Sequence, residues 1–392
     1  MQRGLKFEGR PIWAEIRLGT LTRNLRAIQK RVNPPGTPKG ARRKILAIVK
    51  ANAYGHGAVP VARALERAGT EWFGVTCSAE GMELRKGGIR NRILLLTGFW
   101  PGEEKHLIQN RLTPAITRCE QFRLLERAAA RERRKVAFHL KVDSGMNRLG
   151  IAPSDVPCVA RTLADCPHLQ LEGIFTHFAS SEVFTAEKTE QQQKVFAGVL
   201  EHLRSLGVEA PLIHLANSAA VATRPFTWAN MVRPGLILYG YHQSYDPADH
   251  NRVAAEALPL RPVLSLRTRV ISLRNIPVGQ GVGYNGRWVA SRPSRVAVIA
   301  AGYADGLPRA LTNRGRLIIR AQYVPMVGTV SMDLTAADVT DVPEVQIGDV
   351  ATIYGNDGDA SIPISEVARS LGTVTSDLCC AIGQRVPRFY LP

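Results

Sequence analysis

One pattern constrains this chain more than any other. Between Thr20 and about Gly240, short apolar runs rich in Val, Ile and Leu alternate with longer stretches whose apolar residues recur every three or four positions. The runs are Lys44 to Lys50, Glu71 to Thr76, Arg92 to Thr97, Leu112 to Thr117, Lys135 to Val142, Gln170 to Thr176, Pro211 to Ala216 and Val232 to Tyr239. Between them, Val59 to Arg67, Cys119 to Arg131, Pro153 to Ala164 and Glu187 to Ser205 carry helical spacing. Strands separated by helices pair in parallel, and runs that are apolar on both faces suit a sheet covered on both sides. Eight such units predict an α/β fold, a (β/α)8 TIM-like barrel. The competing open doubly wound sheet would place GxGxxG at its first strand-to-helix turn, and this chain has none there.

From about Leu260 the texture changes. Val263 to Ser272, Arg295 to Ala301, Arg316 to Arg320, Leu334 to Val339 and Asp349 to Tyr354 are short segments broken by Gly, Pro, Asn and Asp, which read as strands and turns. A mainly β C-terminal domain is expected. The polar stretch Gln243 to Arg252 lacks periodic apolar residues, so it places the boundary between a barrel domain at 1–245 and a β-rich domain at 246–392.

The composition narrows the function classes. With 45% apolar and 21% charged residues, the 392-residue chain can bury a large core and is neither disordered nor fibrous. Its net charge of +18 draws anions to the surface. The basic residues are scattered, however, and 6% aromatics leave little to stack on bases, so no nucleic-acid footprint is expected. The six cysteines form no CxxC pair and no zinc-like spacing, which excludes a metal site of that kind. No secretory segment or span of about 20 apolar residues occurs, so the expected location is the cytoplasm, without a membrane partner.

In a parallel barrel, reactive groups sit at the C-terminal ends of the strands. The first run ends on Lys50. A lysine there is partly desolvated, which disfavours its charged form and suits it to a Schiff base. For an arbitrary lysine, the ordinary reading is that it ends the strand and snorkels to water. The residues on either side of it decide between the two: Val49-Lys50-Ala51-Asn52-Ala53-Tyr54-Gly55-His56-Gly57 resembles the pyridoxal-phosphate lysine motif of alanine racemases.

The resemblance continues along the chain, in the family's order. It takes in Trp13-Ala14-Glu15-Ile16, Lys141-Val142-Asp143-Ser144-Gly145-Met146-Asn147-Arg148-Leu149-Gly150, Thr176-His177-Phe178-Ala179 and Ala216-Asn217-Ser218. In the second domain it takes in Val282-Gly283-Tyr284, Gly302-Tyr303-Ala304-Asp305-Gly306, Gly328-Thr329-Val330-Ser331-Met332-Asp333 and Arg385-Val386-Pro387-Arg388. It implies a barrel plus a β domain, pyridoxal 5'-phosphate as cofactor, and interconversion of L- and D-alanine that supplies peptidoglycan.

By resemblance, Lys50 carries the cofactor as a Schiff base and then serves as base on one face of the substrate carbon, while Tyr284 serves the other. Alone, Tyr284 would pass for a turn residue and His177 for a core histidine. In the family pattern His177 links the tyrosine to Arg233, which donates to the pyridine nitrogen. Tyr54, Ser218 and the backbone of Gly235 and Leu236 would hold the phosphate, with Asn217 in support. Arg148 matches the residue that reaches the ring oxygen and the substrate carboxylate, and Lys141 a lysine that is often carbamylated. Met332 would offer its backbone N–H to the substrate, with Asp333 in support. The implied assembly is a homodimer with shared sites.

One position departs from the pattern. Where alanine racemases usually have Tyr before Arg-Val-Pro-Arg, this chain has Gln384, which implies a looser phosphate grip or a wider mouth, and so a racemase of broader specificity as the alternative. A non-catalytic pyridoxal-phosphate barrel is a further alternative, but it would lack Tyr284 and the β domain.

Overall fold

A computed structural model describes residues 9–183, 187–243 and 249–392. The chain divides into two compact units, one formed by Leu21–Ala53 and Gly57–Arg261, the other by residues up to Thr20 with Tyr54–His56 and Pro262–Pro392. The strands are numbered in chain order. β1, Ile12–Arg17, belongs to the second of these units.

The first unit holds β2 (Lys44–Ile48), β3 (Trp72–Val75), β4 (Arg92–Leu95), β5 (Thr113–Ile116), β6 (Val136–Lys141), β7 (Leu169–Phe175), β8 (Leu212–His214) and β9 (Met231–Val232). Each pairs in parallel with the next, and β9 returns to β2 through Lys44 opposite Met231, closing an eight-stranded barrel. The strands are apolar on both faces because both are covered: all four residues of β3 and of β5 are buried. The outer helices show the spacing that the sequence suggests. In Glu120–Arg131, Phe122, Leu125 and Ala129 are buried on one stripe.

The eighth run departs from expectation. Its strand is only Met231–Val232, and Leu236–Tyr239 form a single 3-10 turn. Pro234 offers no N–H to a ladder, and Gly235 leaves the extended region with φ −122 and ψ −92. The buried Tyr239 hydroxyl then donates to the carbonyl of Ile48 at 2.9 Å. In the polar stretch, residues 244–248 lie outside the described ones, and a helix spans Asp249–Ala257.

The second unit is a nine-stranded sheet. Its strands are β1, β10 (Leu264–Ile276), β13 (Ser294–Ile299), β14 (Arg316–Ile319), β15 (Gln322–Val327), β16 (Thr335–Asp338), β17 (Val350–Asp357), β18 (Ala360–Ile362) and β19 (Arg388–Leu391). A separate hairpin pairs β11 (Gly281–Val282) with β12 (Trp288–Val289) and carries Tyr284 between its strands. The 13-residue β10 organises the sheet: its first half lies between β1 and β17, and its second half pairs with β13. The buried Glu15 of β1 forms an ion pair with Arg267 of β10 at 3.2 Å and accepts from the Trp13 indole at 3.1 Å.

Candidate active site

The chain leaves β2 at Ile48 and enters a left-handed turn directly after the half-buried Lys50. Ala51, Asn52, Ala53 and Tyr54 have φ of 51, 52, 53 and 53°. For residues with a Cβ this conformation costs on the order of 1–2 kcal/mol each, so it has to be held from outside. The Glu80 carboxylate does this by accepting from Ala51 N–H and, through its other oxygen, from Thr76 N–H, both at 2.7 Å. The Asn52 side chain accepts from Ala58 N–H at 2.7 Å. Glu80 thereby fixes where Lys50 leaves its strand, and the sequence around Glu80 contains no cue to that role. In the second unit, Gly55 must be glycine, because a Cβ there would lie 2.1 Å from the Cys379 carbonyl.

Arg233 follows β9 and is 3% exposed. It donates to the carbonyls of Thr176 at 2.7 Å, His214 at 2.8 Å and Leu215 at 2.9 Å. It also reaches Nδ1 of His177 and Nδ1 of His214, each at 3.2 Å. Burial pulls the guanidinium down to about 9, which still leaves it charged at neutral pH. A guanidinium cannot accept, so each histidine uses Nδ1 as acceptor and carries its proton on Nε2. His177 is neutral: burial, then the charges of Arg233, Lys141, Arg148 and Lys50, hold it well below the ordinary imidazole range.

Behind Arg233 lies a pair of imidazoles that sequence reasoning missed. His214 Nε2 donates to His139 Nδ1 at 2.8 Å, and both rings are fully buried inside the barrel. Burial, then the charges of Arg92 and Arg233, pushes His139 down to about 3. Gly173 makes room for it, since a Cβ there would meet His139 Nδ1 at 2.4 Å. Two histidines inside a barrel carry no motif, and each sits in an otherwise apolar run.

Lys141 ends β6, with its amine 5.4 Å over the Phe175 ring. Burial, then the charges of Arg233, Arg148 and Lys50, lowers it to about 8, against a smaller opposing pull from Asp143. Asp143 shapes the loop that carries Arg148, accepting from the backbone N–H of Gly145, Met146, Asn147 and Arg148 at 2.9 to 3.0 Å. Burial alone would raise that carboxyl, but the four donors prevail and lower it. Near the ends of β8 and β9, Ser218 Oγ accepts from Gly235 N–H at 2.9 Å, and Asn217 Oδ1 accepts from Ala220 N–H at 3.1 Å and Ser181 Oγ at 2.8 Å.

The barrel unit thus gathers Lys50, Lys141, Arg148, His177 and Arg233 at or just beyond one set of strand ends, with Ser218, Gly235 and Leu236 in the segments that follow β8 and β9. The cations repel one another, and at Lys141 the opposing charge comes from Asp143, so the cluster suits a ligand that brings negative charge, as a phosphate and a carboxylate do. Pyridoxal phosphate fits this donor set.

The remaining expected residues lie in the second unit. Burial, then the Cys380 thiol, keeps the Tyr54 phenol well above its usual range. Tyr284 sits in a tight turn between Gly283 (φ 74) and Asn285 (φ 60), and its carbonyl accepts from Thr329 Oγ1 at 3.2 Å. Its side chain is 70% exposed and that of Met332 51%. The Met332 carbonyl accepts from Ala304 N–H at 3.1 Å. Asp333 pairs with Arg385 at 2.7 Å and Arg10 at 3.4 Å, and those arginines also hold the fully buried Asp305 at 2.8 and 3.2 Å. Gln384 is exposed in the turn before β19.

Comparison with known proteins decides the family. Residues 16–243 match the alanine racemase N-terminal domain and residues 263–390 the alanine racemase C-terminal domain. This chain belongs to the alanine racemase family. It is 36% identical over 381 residues to the alanine racemase of Halothermothrix orenii, covering 97% of each chain. The structure of alanine racemase from D-cycloserine-producing Streptomyces lavendulae superposes with a TM-score of 0.89 at 31% identity, covering 98% of both chains. That of Bartonella henselae alanine racemase, with covalently bound pyridoxal phosphate, gives a TM-score of 0.85 at 27% identity over 98% of this chain and all of the other. The barrel and the following β-rich region are therefore those of the family, whose members are pyridoxal-phosphate isomerases of L- and D-alanine. No described helix is long and apolar enough to cross a membrane.

Proposed function

We propose that this chain interconverts L- and D-alanine with pyridoxal phosphate held at the barrel strand ends, and that Lys50 and Tyr284 move protons on opposite faces of the substrate carbon. The observation that carries this reading is the buried Arg233–His177 pair set among Lys50, Lys141 and Arg148. When bound, the cofactor supplies an aldehyde for a primary amine and a ring that draws electrons from the substrate carbon.

The residues divide the work. Lys50 would hold the cofactor aldehyde and, once released by the substrate amine, take or return the proton on its own face. Arg233 would meet the pyridine nitrogen as a donor only, leaving that nitrogen unprotonated. This limits the ring as an electron sink, so reprotonation at the substrate carbon competes well. Tyr284 would act on the opposite face. An ordinary phenol is a poor base at neutral pH, and a neutral His177 with its proton on Nε2 would donate to the phenolate form and stabilise it.

Ser218, with Gly235, Leu236 and Tyr54, would hold the phosphate, supported by Asn217. Arg148 would reach the ring oxygen and the substrate carboxylate, joined there by Met332 N–H with Asp333 behind it. Lys141, repelled by three cations, gains by reacting with carbon dioxide: its free amine bonds to the carbon, loses a proton to solvent and becomes an anion beside Arg148.

The exposed Tyr284 and Met332 favour a homodimer in which they complete the partner's site. We further assign the enzyme to the cytoplasm, as a source of D-alanine for peptidoglycan. A non-catalytic barrel is disfavoured by the C-terminal family match. The test is incubation of L-alanine with purified protein in heavy water, with chiral analysis: deuterium at the alpha carbon of both enantiomers is expected. Borohydride should attach the cofactor to the peptide carrying residue 50. A cofactor that washes away with that peptide unlabelled would overturn the reading.

A further inference from the structure

The cationic strand ends around Lys50 are not the only concentration of positive charge in the barrel unit. A cavity of about 400 Å³ opens at the opposite end of the barrel, where β4, β5 and β6 begin. Arg85, Arg90, Arg92, Arg111, Arg134 and Lys135 line it, the rest of the lining is aliphatic apart from Thr113, and no acidic or aromatic side chain takes part.

Its rim is built rather than incidental. Half-buried Arg85 donates to the carbonyls of Asn110 at 2.9 Å, Ile89 at 2.9 Å, Asn91 at 2.7 Å and Arg111 at 2.8 Å. One guanidinium thus ties the loop before β4 to the loop before β5, with Arg90 on one and Arg111 on the other. Arg111 has a φ of 52°, a left-handed conformation that aims it from a fixed backbone. Arg92 pairs with Glu172 and lies 5.0 Å over the Trp72 ring. In contrast, Arg90, Arg111, Arg134 and Lys135 make no side-chain hydrogen bond or ion pair among the described residues.

We propose that this basal cavity binds a compact polyphosphate group, free or carried by a nucleotide. Three guanidinium forks and an ammonium left unpaired around one concavity match a ligand with several anionic oxygens in a small volume. A carboxylate or a single phosphate would satisfy only part of them. A single-stranded nucleic acid would need a groove tracking its backbone and aromatic rings to stack on, and neither lines this cavity. The inference does not depend on the racemase reading.

Calorimetric titration of the holoenzyme, with pyridoxal phosphate saturating so that the phosphate cradle near Ser218 is filled, tests it with inorganic tripolyphosphate at about 0.1 M salt. Saturable binding at one site per chain is expected. Arg111→Ala with Arg134→Ala should weaken it by about tenfold or more, whereas Arg274→Ala with Arg314→Ala, an equal charge loss in the other unit, should change it by less than about twofold. All four residues are exposed, and circular dichroism confirms folding. ATP binding as tightly as tripolyphosphate assigns the site to the phosphates alone, tighter binding adds a nucleoside contact, and no ATP binding restricts it to free polyphosphate. Non-saturable binding, equal weakening by both double variants, or stoichiometric displacement by a short duplex would overturn the proposal.

Discussion

Arg233 and Tyr284 represent two ways of placing a functional group. The arginine is buried in the barrel and held by three carbonyls and two imidazoles, so its position is set by the fold that surrounds it. The tyrosine stands on a tight turn with its ring exposed, and Thr329 holds its backbone carbonyl. The barrel therefore preorganises its electrostatics before any ligand arrives. In the β unit, the exposed Tyr284 ring has no comparable enclosure.

Variants can break or sharpen that contrast. Lys50→Ala should lower racemisation by about a thousandfold or more and abolish borohydride labelling, because the Schiff base proposed at Lys50 would have no substitute amine there. Tyr284→Phe should cost about a hundredfold, with deuterium exchange slowed more from one enantiomer than from the other. Equal slowing would remove the face assignment. It should leave the melting temperature nearly unchanged, since an exposed hydroxyl contributes little to packing.

Gly173→Ala reverses the pattern, with its main effect on stability. The new methyl meets the His139 ring, so denaturant titration should register a loss of about 1–3 kcal/mol. Lys141 gives a smaller, pH-linked effect. Its pKa is lowered to about 8, so the free amine grows as pH rises through that value. Mass spectrometry in bicarbonate buffer should detect more of the carbon dioxide adduct at pH 8 than at pH 6.5, and none in Lys141→Arg. Gln384→Tyr is the mildest change, expected to shift the turnover ratio of serine and lysine against alanine by about threefold toward alanine. Unchanged ratios would remove the link between Gln384 and substrate breadth.

Much of the barrel is legible from residues alone, because a strand buried on both faces has to be apolar throughout and its covering helix has to show a three- or four-residue period. The eighth strand is shorter than its apolar run for a local reason: Val232 to Tyr239 is apolar in both the strand and the 3-10 turn, and periodicity cannot distinguish them. In the candidate site, Lys50 stands out because it interrupts an apolar run. Glu80, Asp143, His139 and His214 do not stand out, since their partners are backbone groups or side chains remote in sequence. Trp13 to Ile16 match the family, but pairing with β10 and β19 is a long-range property that no local pattern reveals.

The order of the elements, the two textures of the chain and the lysine at a strand end were written in the sequence, because burial and periodicity act over a few residues. Which nitrogen of His177 carries the proton, how far Lys141 is lowered, and what holds four left-handed residues after Lys50 were decided only by the tertiary structure. Those properties depend on charges and donors brought within a few ångströms by the closing of the barrel, and electrostatic energy at such distances is set by geometry that residue order does not contain.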